Sequence, residues 1–96
     1  MWIISKKMIR EYSKQHADCK GALEQWCQVA EAASWENLAQ VRQTYPHADS
    51  VGNKTVFNIK GNTYRLIAAI HYNTGKIYVR EILTHADYDK GDWKQR

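Results

Sequence analysis

Residues 55–68, Thr-Val-Phe-Asn-Ile-Lys-Gly-Asn-Thr-Tyr-Arg-Leu-Ile-Ala, decide the fold of this chain. From Thr55 to Lys60, apolar and polar side chains alternate, and this period of two predicts a β-strand. Gly61-Asn62 is a two-residue turn of the kind that type I′ and II′ hairpins use. We therefore expect a second strand that runs back from Tyr64 to Tyr72.

The turn determines which residues of the two strands face each other. It pairs Asn58 with Arg65 and Phe57 with Leu66, so that apolar side chains meet apolar ones. Asn58 and Arg65 then lie side by side on the outer face of the sheet, which we expect the helices to leave open.

A second hairpin follows the first. Asn73-Thr74-Gly75 marks its turn, and Lys76 to Leu83 is the last predicted strand. Its alternation divides the side chains between the two faces, with Ile77 and Val79 on one face and Tyr78, Arg80 and Ile82 on the other.

The register of this second hairpin depends on the length of its turn. If Thr74-Gly75 is a two-residue turn, Ala69 pairs with Arg80, Arg80 shares the outer face with Arg65, and Thr84 lies opposite Arg65. A glycine-bulged turn of three residues shifts the pairing by one and sends Arg80 to the other face. We favour the two-residue turn, because burying an unpaired arginine among Ile and Val would cost several kcal/mol.

The N-terminal half has helical periodicity after a short predicted strand from Trp2 to Ile4. We expect Ser5 to cap a first helix that ends near His16, since its hydroxyl can accept a hydrogen bond from a free amide of the first turn. Asp18 is the expected cap of a second helix, along which apolar residues recur at intervals of three and four.

A third, shorter helix is predicted from Ser34, and Pro46 ends it, because proline disfavours helix in the residue before it. A short edge strand is expected around Ser50 and Val51. The predicted fold class is α+β, with a short N-terminal strand and two to three helices packed on one face of an antiparallel three- to four-stranded sheet. Residues 1–96 are expected to form a single domain.

Length and charge limit the classes of function. The chain has 96 residues and a net charge of +4. Basic and acidic side chains balance in residues 1–53, whereas residues 54–96 hold eight basic side chains against four acidic ones. This excess suits a polyanion, either nucleic acid or an acidic protein segment. Two isolated cysteines, no apolar run of membrane-spanning length and no signal peptide indicate a cytoplasmic protein.

A cluster of reactive groups follows the last strand, in the stretch Thr84-His85-Ala86-Asp87-Tyr88-Asp89-Lys90. By itself the stretch is also typical of a polar tail. The predicted hairpins, however, bring Lys60, Arg65 and Asn58 to the same end of the sheet. Arginine presents a fork of donors to phosphate oxygens, and imidazole transfers protons near neutral pH. The set suits a phosphodiester, and we expect neither a metal nor a cofactor.

Three successive stretches resemble the HigB toxins of the RelE superfamily, namely Phe-Asn-Ile-Lys-Gly-Asn-Thr-Tyr-Arg-Leu-Ile-Ala at 57–68, Ile-Tyr-Val-Arg at 77–80 and Thr-His-Ala-Asp-Tyr-Asp at 84–89. The resemblance implies the toxin of a type II toxin–antitoxin pair, an endoribonuclease that cuts mRNA, often on the ribosome. The ribose 2′-hydroxyl attacks the phosphate and leaves a 2′,3′-cyclic phosphate. The implied partner is a helix-turn-helix antitoxin of the HigA type, which binds operator DNA together with the toxin.

The resemblance also implies roles for individual residues. Arg65 matches the strand arginine that contacts the scissile phosphate, and Lys60 lies where a catalytic or phosphate-holding lysine is common. His85 is the expected main proton-transfer group, and Tyr88 is expected to stack on a base or to donate a proton. Further contacts with RNA or its phosphates are expected from Asn58, Arg80 and Lys90.

Two other classes of function remain compatible with the sequence. One is a non-catalytic RNA- or protein-binding module, whose basic face only holds phosphates. The other is a transcriptional partner, whose basic surface serves an operator-bound complex.

Overall fold

The computed structural model describes residues 1–4 and 6–95. Its first three α-helices come before the antiparallel strands, as predicted, and two short helices follow the last strand. The helices and strands are β1 (Trp2–Ile4), α1 (Lys6–Gln15), a 3₁₀ helix (Ala17–Cys19), α2 (Lys20–Ala32), α3 (Leu38–Thr44), β2 (Asp49–Val51), β3 (Lys54–Ile59), β4 (Tyr64–His71), β5 (Lys76–Thr84), α4 (His85–Lys90) and a second 3₁₀ helix (Asp92–Gln95). Across the described ranges, no helix is long and apolar enough to cross a membrane.

The sheet is larger than predicted and is not purely antiparallel. It has five strands in the order β1-β5-β4-β3-β2. The neighbours from β2 to β5 are antiparallel, whereas β1 pairs with β5 in parallel, with Ile3 opposite Ile77. Parallel neighbours need a long crossover, and the helical half of the chain supplies it here. The α+β class is confirmed, and the correction is that the N-terminal strand extends the sheet.

The first hairpin has the predicted register. Asn58 lies opposite Arg65, and Phe57 lies opposite Leu66. The turn requires a left-handed backbone at Gly61, with φ of 62°, and also at Lys60, with φ of 53°. For a residue with a Cβ this conformation costs roughly 1 kcal/mol, so the turn holds the lysine in a mildly strained position.

The predicted register of the second hairpin is wrong. His71 pairs with Lys76, so residues 72–75 form a longer turn than the expected Thr74-Gly75. Arg65 faces Leu83 rather than Thr84. A β-bulge shifts the register between Ile67 and Ala68.

The bulge changes the faces of β5. Ala68 pairs with Val79 and Ile67 pairs with Glu81, which leaves Arg80 as the additional residue between them. Beyond the bulge the alternation is reversed, so Ile82 lies in the core on the helix side and not on the outer face as predicted. A bulge reverses the alternation in this way because two residues on one strand oppose one on the other.

Arg80 therefore does not pair with Ala69, although the prediction of its face is correct. Its exposed side chain lines a surface depression together with Ala69 and His71, and its guanidinium lies 5.4 Å from the centre of the Tyr78 ring.

The helices pack on one face of the sheet, as predicted. Trp26 of α2 meets Phe57 of β3 edge to face, with ring centres 5.3 Å apart. The buried core between the two layers contains apolar residues from every helix of this half and from four strands, including Ile3, Ile9, Leu23, Trp26, Val41, Phe57, Leu66, Ile77 and Ile82.

The outer face is not open at the Arg65 end, contrary to the prediction. Trp93 is 1% exposed and packs against Val56 and Ile67. Its indole N–H donates to the carbonyl of Tyr88 at 3.0 Å, and the two rings stack at 5.1 Å. The C-terminal segment thus covers one end of this face, because three large apolar side chains there exclude water together.

One predicted helix cap and one predicted helix start are also wrong. α2 begins after Cys19, and Asp18 lies inside the preceding 3₁₀ helix. α3 begins at Leu38 and not at Ser34, because the side chain of Asn37 accepts a hydrogen bond from the amide of Gln40 at 2.9 Å. The predicted cap Ser5 lies outside the described residues.

Candidate phosphodiester site

Arg65 lies at the centre of the candidate site. It is the second residue of β4, it points to the outer face, and it is only 7% exposed. Its Nη1 donates to the backbone carbonyls of Asn62 at 3.2 Å and Tyr64 at 3.1 Å. Its Nη2 donates to the side-chain oxygen of Asn62 and lies 3.1 Å from Nδ1 of His85. The hairpin turn and the start of α4 therefore hold the guanidinium from two sides.

No carboxylate of the described residues forms a salt bridge with Arg65. Its other close neighbour is the ring of Tyr88, whose centre lies 5.4 Å from the guanidinium carbon. Buried charges in proteins are usually paired with an opposite charge. A buried arginine whose partners are neutral suits a site that receives an anion.

His85 is fixed by the first turn of α4. The side chain of Thr84 caps this helix by accepting from the amide of Asp87 at 3.2 Å, and the amide of His85 donates to the carbonyl of Thr63 at 2.9 Å. The latter bond joins α4 to the hairpin turn, so His85 is held beside Arg65.

The two ring nitrogens of His85 have different partners. Nδ1 faces Arg65, and Nε2 lies 3.2 Å from a carboxylate oxygen of Asp89. A guanidinium can only donate, so Nδ1 must accept and the proton of the neutral ring lies on Nε2, directed at Asp89. The contacts therefore direct Nδ1 of the ring toward the arginine and Nε2 toward the carboxylate.

Tyr88 completes the site from the middle of α4. Burial raises the pKa of its hydroxyl, and the charge of Asp49 adds to this, whereas Arg65 opposes it. The phenol is therefore protonated at neutral pH and can donate a proton. Its ring already stacks on Trp93 and adjoins Arg65, which leaves less ring surface for the predicted stacking on a base.

Lys60 lies at the same end of the sheet but belongs to a different cluster. Its ammonium is 3.0 Å from Asp18, and the hydroxyl of Tyr64 donates to the same carboxylate at 2.8 Å. The hydrogen bonds from Lys60 and Tyr64 hold the pKa of Asp18 below its ordinary value. The hydrogen bond that the Tyr64 hydroxyl donates to Asp18 raises the pKa of Tyr64 to about 12. The structure does not bring the Lys60 ammonium into contact with Arg65 or His85.

The remaining predicted residues differ in how close they are to the site. Asn58 is half-buried beside Arg65 across the hairpin. Lys90 is 67% exposed and lies 3.6 Å from Asp87 at the end of α4. Arg80 lies further along the sheet, at the depression with His71. Of these residues, only Asn58 is a direct neighbour of the central arginine.

Sequence reasoning did not assign Asn62, Asp18 or Tyr64 to the site. Asn62 appeared only as a turn residue, yet its side chain and its carbonyl both bind Arg65. The available signal was the spacing, because the side chain of Asn62 lies three residues before Arg65 across a tight turn. Asp18 is 42 residues from Lys60 and 46 from Tyr64, and no local pattern relates them.

Comparison with known proteins agrees with this architecture. Residues 19–91 match the HigB_toxin family model, described as the RelE-like toxic component of a toxin–antitoxin system. The mRNA interferase toxin HigB of Escherichia coli strain K12 is 24% identical over 92 residues, which is 93% of this chain and 88% of that protein. The mRNA interferase HigB of E. coli O6:H1 is 28% identical over 93 residues, covering 94% and 90%. Because the family match spans well over half of its length, the chain belongs to the HigB toxins, the RelE-like toxic components of toxin–antitoxin systems.

Proposed function

We propose that this toxin is an mRNA endoribonuclease and that residues 1–96 act as one catalytic domain. The observation that carries the proposal is the buried Arg65, which lies against His85 and has no carboxylate partner among the described residues. A scissile phosphate would supply the missing negative charge. The relatives named mRNA interferases share most of the length of this chain, which supports the same activity.

The proposed reaction is transfer of the phosphate to the neighbouring ribose oxygen. The 2′-oxygen forms a bond to phosphorus while the bond from phosphorus to the 5′-oxygen breaks. The products are a 2′,3′-cyclic phosphate and a free 5′-hydroxyl. The reaction needs a base for the 2′-hydroxyl proton, an acid for the 5′-oxygen and positive charge around the phosphate. We propose that side chains supply all three without a metal ion.

We assign the positive charge to Arg65. When a phosphate binds, the guanidinium exchanges its bonds to Asn62 and His85 for a bidentate contact with phosphate oxygens. Nδ1 of His85 is then free to take the 2′-hydroxyl proton, and Asp89 stabilises the imidazolium that forms. This assignment rests on the contact of Nδ1 with the guanidinium and on the position of the ring between the two charged groups.

We assign the proton for the leaving 5′-oxygen to Tyr88, because its ring adjoins Arg65 and its phenol is protonated at neutral pH. Lys60 is 46% exposed and would leave Asp18 to bind a phosphate near the scissile one. Asn58, beside Arg65, is proposed to contact RNA close to the reacting atoms, and Arg80 and Lys90 are proposed to contact it further away.

We propose mRNA as the substrate, with the ribosome as the setting for cleavage and the cytoplasm as the compartment. Membership of a toxin–antitoxin family implies an antitoxin partner. We propose that this partner is a helix-turn-helix protein of the HigA type and that operator DNA is bound only by the complex of the two.

Controlled expression tests the proposal. Wild type is compared with His85→Ala, Arg65→Ala and the control Arg10→Ala, an exposed arginine of α1. Primer extension follows mRNA ends with translation running or blocked, and chelator added to a purified reaction tests metal independence. We expect growth arrest and new mRNA ends for wild type and the control only. Intact transcripts with wild type would favour a non-catalytic binding module, and continued cleavage by both site variants would reject the site but not the activity.

A further inference from the structure

A small pocket lies beside Arg65 at the unpaired edge of β3. β2 accompanies β3 only as far as Val56, so the end of β3 that carries Asn58 has no strand on that side. The connection between α3 and β2 takes its place there. The resulting pocket is lined by residues 45–48 of this connection and by Asn58, Gly61 and Asn62 of the first hairpin. We call it the Asn58 pocket.

The lining of the Asn58 pocket is apolar on one wall and polar on the other. Tyr45, Pro46 and Ala48 form the apolar wall, and the Tyr45 ring is fixed by an edge contact with Phe57, with ring centres 5.4 Å apart. The other wall offers the side-chain carboxamide of Asn58. This carboxamide has no hydrogen-bond partner within the described ranges. No charged side chain lines the pocket. Apolar walls with a few polar groups are typical of small-molecule sites, and a lining without Asp, Glu, Lys or Arg suits an uncharged ligand.

Asn62 connects the pocket to the candidate site. Its carbonyl groups bind the guanidinium of Arg65, while the residue itself lines the pocket. A ligand in the pocket and a phosphate on Arg65 would therefore be direct neighbours. In a nucleotide chain, an uncharged planar group lies next to a phosphate where a base adjoins that phosphate.

We propose that the Asn58 pocket binds a nucleobase of the RNA next to the scissile phosphate and thereby sets the cleavage preference. This inference rests on the proposed nuclease function. A carboxamide both donates and accepts, so Asn58 can pair with the edge of a base, as asparagine does with adenine. His47, exposed at the rim, can stack on the base or bond to its edge. The uncharged lining favours a base over a phosphate or an acidic peptide.

Competition between RNA substrates tests the proposal. The RNA substrates differ only at the nucleotides beside the scissile bond, and each is supplied both as free RNA and on programmed ribosomes. The purified proteins are wild type, Asn58→Ala, Asn58→Asp and His47→Ala. The measured quantity is the ratio of kcat/KM between the best and the worst substrate. His71→Ala is the matched control. It also removes an exposed histidine, but this one lies at the end of β4, outside the pocket.

We expect Asn58→Ala and His47→Ala to reduce this ratio roughly tenfold, the scale of a lost base contact, and Asn58→Asp to change which base is preferred. The control should keep the wild-type ratio. Melting temperatures of all variants show whether a loss comes from unfolding. Unchanged ratios in both His47→Ala and Asn58→Ala would overturn the pocket while leaving the nuclease proposal intact. If wild type cuts no RNA in either setting, the nuclease proposal fails and the pocket fails with it.

Discussion

Nη2 of Arg65 lies 3.1 Å from Nδ1 of His85, which places an obligate cation against the lone pair of an imidazole. Protonation of this nitrogen would set two positive donors against each other. The opposite ring nitrogen lies 3.2 Å from Asp89, so the imidazole stands between a cation and an anion. An incoming phosphate that draws Arg65 away would free the lone pair at the moment when a base is needed.

Replacing His85 tests whether the ring transfers a proton or only orders Arg65. In His85→Gln the amide oxygen can still accept from the guanidinium, but it cannot take a proton from a hydroxyl. We expect cleavage to fall about 10²- to 10⁴-fold, the usual scale for loss of a general base, with little change in melting temperature. Initial rates on an mRNA substrate measure the effect, with His71→Gln as the control. A glutamine variant with wild-type rate would limit His85 to a positioning role.

Asp89→Asn tests the other side of the ring. The amide keeps an oxygen toward Nε2 but removes the negative charge that would stabilise an imidazolium. We expect a smaller loss than for His85→Gln, on the order of tenfold in kcat with KM little changed, since one exposed charge is removed and the ring remains. Asp92→Asn is the matched control from the next turn of the chain. A loss confined to KM would indicate that Asp89 serves binding and not proton transfer.

Arg65→Lys separates charge from geometry. Lysine keeps the positive charge, but its single ammonium cannot reach Asn62, Tyr64 and His85 together. Backbone carbonyls left without a partner under α4 should destabilise the fold by about 1–3 kcal/mol, and the loss of the bidentate fork should lower cleavage further. Urea unfolding and single-turnover cleavage measure the two effects, and Arg10→Lys controls for the substitution itself. Unchanged stability would contradict the structural role of the guanidinium.

The first hairpin was predictable because two local signals agree. The alternation around Phe57 allows one register if its apolar residues are to meet those around Leu66, and Gly61-Asn62 supplies a turn of the matching length. The second hairpin lacked this agreement, because the apolar faces match in more than one register. The signal for its bulge lies in the spacing, since Val79 and Ile82 are three apart where a regular strand would keep them two or four apart.

The remaining errors come from contacts that are distant in the sequence. Asp18 has the residue type of a helix cap, yet a lysine and a tyrosine more than forty positions away bind its carboxylate. Trp93 lies in a polar tail, and only the folded sheet offers it Val56 and Ile67. Periodicity reports which residues share a face, but it does not report which segment returns to cover that face.

Trp93→Ala tests how much the packing of Trp93 on the outer face of the sheet contributes to stability and to cleavage. Removing a buried indole from between Val56 and Ile67 should destabilise the fold by roughly 3–5 kcal/mol. Tyr88 would also lose its stacking partner, so cleavage should fall even where the protein remains folded. Urea unfolding measures the first effect, and cleavage below the transition measures the second. Trp2→Ala, which removes a tryptophan that is 67% exposed, is the control. Equal stability of the two variants would contradict the packing role of Trp93.

The bond between Tyr64 and Asp18 should give stability a characteristic dependence on pH. The pKa of Asp18 is lowered in the folded state by its bonds to Lys60 and Tyr64, so this contribution is present above the ordinary carboxyl pKa and is lost as the pH falls through the folded value. The pKa of Tyr64 is raised from 10.0 to about 12, so the same bond persists below pH 10 and is lost as the pH rises toward 12. The melting temperature of wild type should therefore exceed that of Asp18→Asn at neutral pH, and this difference should shrink as the pH falls below the ordinary carboxyl pKa. Tyr64→Phe should lack the part of the alkaline loss that this bond causes, while Tyr72→Phe, in the turn after β4 and away from Asp18, should retain that part. If the melting temperatures of wild type and Asp18→Asn keep a constant difference across the acid range, the charge of the carboxylate contributes nothing to stability.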